Sequence, residues 1–270
     1  MTAPNAAPPI PAGLQRAIGT FPYRLQMAGG WIDQPFVSRA NPEPPGSMVV
    51  VSLRPTVRYM ERSGMATGTR RVAMQLWGGD IPADRASDEL VRELYRVENE
   101  GLTDPSGSQD MCGLIYRGIS RLDYDASFDG GWFPSHVESI TDKAVVSWLE
   151  GVINLVPVGG RPEGYNPLGV RNLDPGWIAR LSHSGRQCYD AIVAMDLAAL
   201  GAALNECSHA WRAILPQVYE HPAIKSDLWG LLEGYMGAYA GAMYSGCGGG
   251  YVIVVSEDPP PGSSHISVRV

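Results

Sequence analysis

Four glycines fall within five consecutive positions near the C-terminus, in Ser245-Gly246-Cys247-Gly248-Gly249-Gly250-Tyr251, and the apolar run Val252–Val255 follows at once. No other stretch restricts the chain so tightly. Glycine gives up more backbone freedom on ordering than any other residue, so such a cluster makes a poor helix and a poor strand. It permits positive φ angles and close approach of main-chain N–H groups to a partner. Two readings stand side by side: a concave nest of N–H groups for an anion such as phosphate, or a flexible turn into a buried strand.

The chain has 270 residues, enough to bury a sizeable core as one large domain or two lobes. Its net charge of -7, from 21 basic and 28 acidic residues, gives no support to general nucleic-acid binding. Cys112, Cys188, Cys207 and Cys247 are widely spaced with no CxxC pair. Neither a disulfide framework nor a structural zinc site is expected, and a cytoplasmic setting follows. Met1–Gly13 is rich in Pro and Ala and lacks the basic start and apolar run of a signal peptide, so residues 1–20 read as a disordered lead-in. No stretch approaches the roughly 18 apolar residues of a membrane span.

Residues 21–37 begin as a short strand and break at Gly29-Gly30, which leaves Asp33 just past the bend. There it can accept hydrogen bonds from a polyol or simply form the turn. Met48–Leu53 reads as a buried strand, and Val57–Met60 as another short one. The Ser63–Trp77 segment is loop first and helix second. A Gly/Thr loop opening a helix presents free N–H groups and the positive end of the helix dipole, a general way to hold phosphate. Arg70 and Arg71 add charge there, although Thr67 or Thr69 as a plain helix cap is equally compatible. It is not a Walker A loop, since the spacing and the lysine are missing.

Asp84–Glu100 reads as an amphipathic helix with Glu98 in its last turn, where the dipole disfavours a carboxylate. Gly107-Ser108-Gln109-Asp110 forms a turn, with Asp110 either a general base or a cap. Gly118–Tyr124 and Phe128–Phe133 read as strands. Thr141–Ile153 reads as a helix capped by Thr141, Asn154–Pro157 as a strand, and Pro175–Ser182, Gln187–Ala210 and Pro222–Tyr244 as three helices. Strands thus dominate the first half and helices the second, as in two lobes spanning 21–140 and 141–270. The five histidines show no metal-ligand spacing, and the Gly-x-Ser-x-Gly of a serine hydrolase is absent.

Taken together, Arg24–Pro35 with its Ala28-Gly29-Gly30-Trp31-Ile32-Asp33 core, Glu98 followed twelve residues later by Asp110 of Gly107–Asp110, and Ser245–Gly250 before a strand resemble three motifs of the GHMP kinase superfamily, in order. The similarity is greatest to the branch of fucose and heptose-phosphate kinases. It implies an α+β fold of two lobes, the first like domain 2 of ribosomal protein S5 and the second ferredoxin-like. It further implies ATP and Mg²⁺ as cofactors and a sugar or sugar phosphate as substrate, with no nucleic acid or membrane partner and a monomer or homodimer. Carried over residue by residue, Gly68, Thr69, Arg70, Gly246, Gly248 and Gly249 would hold ATP, and Glu98 with Thr69 would hold Mg²⁺. Asp33, Gly29 and Gly30 would bind substrate. Asp110 would orient or deprotonate the attacking hydroxyl, helped by Arg24. The departure lies at Ala66–Ala73, where Arg70 stands at a position the family fills with a small hydroxyl residue. Two functions follow: a carbohydrate kinase that uses Arg70 in place of a lost phosphate ligand, or a catalytically silent relative that binds a sugar or nucleotide as a regulatory or assembly subunit.

Overall fold

The computed structural model describes residues 19–270, so most of the expected lead-in lies outside the described residues. Two four-stranded antiparallel sheets organise the chain. The first contains β1 (Tyr23–Gln26), β2 (Gly46–Leu53), β3 (Ile119–Tyr124) and β4 (His136–Ile140), in that spatial order. Every residue of β2 is buried, which explains its unbroken apolar run: a central strand covered on both faces has no solvent side to alternate with. Between these strands lie α1 (Pro35–Ser38), α2 (Thr67–Trp77), α3 (Ser87–Glu98) and α4 (Gln109–Ile115).

After α5 (Lys143–Val152) comes the second sheet. It is built from β5 (Ile153–Gly159), β6 (Gly241–Tyr244), β7 (Gly250–Val255) and β8 (Ser264–His265), in the order β6-β7-β5-β8. The long helices α6 (Pro175–Ala194) and α7 (Leu197–Ile214) pack along each other and tie the two sheets together, α6 against β2 and α7 against β6. Short α8 (Gln217–Glu220) and α9 (Leu228–Ala238) complete the set. The C-terminal tail crosses back to the first sheet: Arg54 N–H donates to Ser267 O at 2.8 Å and Gly118 N–H to Arg269 O at 2.7 Å. Among the described residues no helix is long and apolar enough to cross a membrane. All four cysteines are free and buried.

Several elements differ from expectation for local physical reasons. Val57–Met60 is loop, pinned by the Tyr59 ring edge-on to Tyr23 at 4.9 Å and to Tyr251 at 5.8 Å. Phe128–Phe133 is a turn, because Asp129, Gly130 and Gly131 have φ of 46°, 64° and 85°, which no strand allows. Asp142 rather than Thr141 caps α5, accepting from Ala144 N–H at 2.9 Å. The expected break at 183–186 is absent, and α6 ends instead at left-handed Met195, after which Asp196 caps α7. Gly241–Tyr244 is a strand, since a short apolar run buried on every side carries no period to distinguish the two structures.

Candidate active site

The N-terminal strand and turn supply one wall. Arg24 and Gln26, two apart on β1, share a face and line a cavity of about 180 Å³ together with Trp31, Asp33, Gln109 and Asp110. Gly29 and Gly30 do not line it. Gly29 has φ 87° and lies so close to β2 that a Cβ would sit 2.2 Å from Ser47 O, while a Cβ on Gly30 would overlap the Gln26 amide. Their work is to turn the chain and make room for Gln26, and Trp31 and Asp33 are what the turn delivers.

The Gly107–Asp110 turn has a physical explanation at each position. A side chain on Gly107 would collide with the Asp33 carboxylate. The Ser108 hydroxyl pairs with Tyr124 OH at 2.9 Å. Gln109 Nε2 donates to Asp33 Oδ1 at 3.0 Å. Asp110, in the first turn of α4, forms an ion pair with Arg24. Asp33 Oδ2 is buried with no partner. Burial pushes the Asp33 carboxyl up to about 6 against the opposing pull of the Gln109 hydrogen bonds and the Arg24 charge. Burial draws the Arg24 guanidinium down to about 10, so it stays charged at neutral pH.

On the far side of Asp110 three helix ends meet: the start of α2, the end of α3 and the start of α4. Thr69 Oγ1 lies 3.0 Å from Glu98 Oε1 and 3.3 Å from Asp110 Oδ2. Glu98 Oε2 is buried without a partner, and desolvation raises the Glu98 pKa while Thr69 and Arg24 oppose it. Two carboxylates and a hydroxyl with an unused buried oxygen suit a hard cation such as Mg²⁺, which takes one or two carboxylates and completes its octahedron with water or phosphate. No cluster of three or more His, Cys, Asp or Glu that could hold a metal unaided occurs among the described residues.

Helix α2 starts behind left-handed Ala66 without a side-chain cap, so the Thr hydroxyls do not cap it and Thr69 serves the carboxylates instead. Gly68 is exposed, with open space beside its Cα. Arg70 departs from expectation. Its guanidinium lies over the Tyr23 ring at 4.3 Å and Nε donates to Phe21 O at 3.0 Å, directing its charge away from Glu98 and Asp110.

The glycine cluster also differs from an open nest. Gly246, Gly248 and Gly249 are all buried. The loop is sealed by Ser245 Oγ donating to Ser63 O at 2.7 Å and by Gly248 N–H donating to Val218 O at 3.0 Å. A Cβ on Gly248 would sit 2.6 Å from the Tyr165 ring, and one on Gly246 would sit 2.7 Å from Gly64 Cα and 2.8 Å from Arg161 Nη2. Here glycine is required so that three pieces of chain can close-pack. Arg161 lines the same cavity and no motif announced it; the only signal was its place in the Gly159–Asn172 loop beside the glycine cluster.

No family model matches the chain, and no curated protein matches it. Solved structures do. A D-glycero-D-manno-heptose 1-phosphate kinase from Bacteroides thetaiotaomicron superposes with TM-score 0.54 at 12% identity, over 93% of this chain and 96% of that one. A putative sugar kinase from Campylobacter jejuni gives 0.57 at 12%, over 92% and 94%. The fold is that of the GHMP kinases. The galactokinase of Lactococcus lactis, solved with galactose, shares the GHMP kinase fold with TM-score 0.54 at 12% identity, over 88% of this chain and 85% of its own.

Proposed function

We propose that the protein is a MgATP-dependent kinase acting on a hydroxyl of a sugar or sugar phosphate. The observation that carries this reading is the Arg24–Asp110 pair, which faces the small cavity on one side and the Thr69–Glu98 oxygens on the other. When bound, MgATP supplies the phosphoryl group and a divalent charge; Glu98 and Thr69 would face the cation and the exposed start of α2 the phosphates. Phosphoryl transfer depends on positioning and charge neutralisation, and this chain provides both. Asp110 receives or orients the proton of the attacking hydroxyl. Arg24 fixes that carboxylate in direction. Asp33 and Gln109 take the substrate's other hydroxyls.

Two observations favour a catalytically silent binding protein instead: Gly248 and Gly249 are buried under their neighbours, and Arg70 lies over the Tyr23 ring. Thermal denaturation with a non-hydrolysable ATP analogue, followed by assay of sugar-dependent ADP release, separates the two. A ligand at 100 times its dissociation constant stabilises by about 2.7 kcal/mol. Mg²⁺-dependent stabilisation together with ADP release supports the kinase; stabilisation without release, or no stabilisation at millimolar analogue, supports the silent relative.

A further inference from the structure

We propose that Arg161 holds a phosphate or similar anionic group of the small molecule in the cavity, so that the acceptor is a phosphorylated sugar rather than a neutral one. The substrate wording rests on the kinase reading; the binding claim does not. Arg161 is half-buried, and its Nε is fully buried with no hydrogen-bond partner. Among the described residues no carboxylate lies within ion-pair distance of it, whereas Arg24 in the same cavity is matched to Asp110. Its charge is felt by Arg24, Tyr165 and Cys247, none of them an anion at neutral pH. A guanidinium lining the cavity with no carboxylate within ion-pair distance, although Asp33 and Asp110 line the same cavity, presents the planar fork that suits a phosphate.

The position is built. Arg161 N–H donates to Arg62 O at 3.1 Å and Arg62 Nη2 to Pro162 O at 2.9 Å, clamping the loop, while the missing side chain of Gly246 leaves room for the guanidinium. A cavity of about 180 Å³ falls below the roughly 300–1,000 Å³ typical of larger ligands. It is in keeping with a compact ligand such as a monosaccharide phosphate. The α2 start does not line it, whereas Ser245, Gly246 and Cys247 of the glycine loop do, so the MgADP probe below separates an anion of the acceptor from one of the nucleotide.

The experiment measures binding by thermal shift and calorimetry, with inorganic phosphate, glucose 1-phosphate, glucose 6-phosphate, glucose and MgADP as probes. Wild type, Arg161→Gln and Arg171→Gln are compared; Arg171 lies on the same loop, stacked on Phe36 outside the cavity. The expected result is that phosphate-bearing probes bind wild type and Arg171→Gln, glucose binds less well, and Arg161→Gln weakens the phosphate probes roughly 10- to 100-fold while MgADP is unchanged. The proposal is overturned if no phosphate probe binds wild type, if Arg161→Gln retains them, or if the loss falls on MgADP, which would make the anion the nucleotide's. A wild type that binds hexose phosphate through Arg161 yet never releases ADP upholds this inference and ends the kinase reading.

Discussion

Arg24 and Asp110, 86 residues apart in sequence, meet as an ion pair whose arginine side chain is 5% exposed and whose aspartate side chain is 30% exposed. The pair faces the Thr69–Glu98 oxygens on one side and the cavity on the other. Removing either partner strands a charge, so the two substitutions should not add. In a double-mutant cycle by urea unfolding, Arg24→Met and Asp110→Asn should couple by about 1 kcal/mol or more. Strict additivity would mean that the contact does not persist in solution.

Asp33 sets a pH dependence. Its folded pKa of about 6 lies above the ordinary 3.8, so the folded state holds the proton more tightly and the carboxyl's contribution to stability is lost as pH rises from about 4 through 6. Asp33→Asn should therefore be more stable than wild type at pH 8, by on the order of 3 kcal/mol at most, and equal to it at pH 4. Substrate binding by wild type should strengthen above pH 6, where the carboxylate is ionised and accepts hydroxyl protons. A stability difference independent of pH would contradict this.

Glu98 is half-buried with its Oε2 buried and unpartnered, and desolvation disfavours its ionised form. Glu98→Gln should leave the ligand-free protein as stable as wild type or more so at neutral pH, and should abolish the Mg²⁺ dependence of stabilisation by an ATP analogue. Retained Mg²⁺ dependence would remove Glu98 from the cation site.

Gly68 has open space beside it in the first turn of a helix. Gly68→Ala should therefore raise stability by roughly 0.5–1 kcal/mol and yet weaken ATP-analogue binding, because the methyl group covers the N–H groups that would receive phosphate. Stabilisation with unchanged nucleotide affinity would place the phosphates elsewhere.

From the residues alone Glu98 stands out as a carboxylate at a helix end, where the dipole disfavours it, whereas Asp33 and Asp110 serve equally well as a turn former and a cap, and only the resemblance singles them out. The structure puts Asp33 and Asp110 on one cavity and Glu98 beside Thr69 behind Asp110. The glycines were legible as a demand for close approach, but not in what approaches: Gly246 admits Arg161 and Gly248 admits Tyr165, both more than 80 residues away in sequence. Arg70 carries charge near a helix start, and the sequence does not show that the Tyr23 ring lies beneath its guanidinium. Among the elements, the four-residue run Gly241–Tyr244 is buried on all sides and has no period to read, and Thr141 and Asp142 are neighbours that can both cap a helix. For Arg161 the sequence offers only its place in the Gly159–Asn172 loop, since its meaning lies in a guanidinium with no ion-pair partner among the described residues.

The most direct measurement is γ-phosphoryl transfer itself: MgATP with a panel of hexoses, heptoses and their phosphates, the product identified by mass, wild type beside Asp110→Asn. The account predicts a phosphorylated product that depends on the sugar and falls by about 100-fold or more in Asp110→Asn, whose fold is checked by its unfolding transition. Turnover that survives the substitution, or a wild type that binds MgATP and every panel member without transfer, would contradict it.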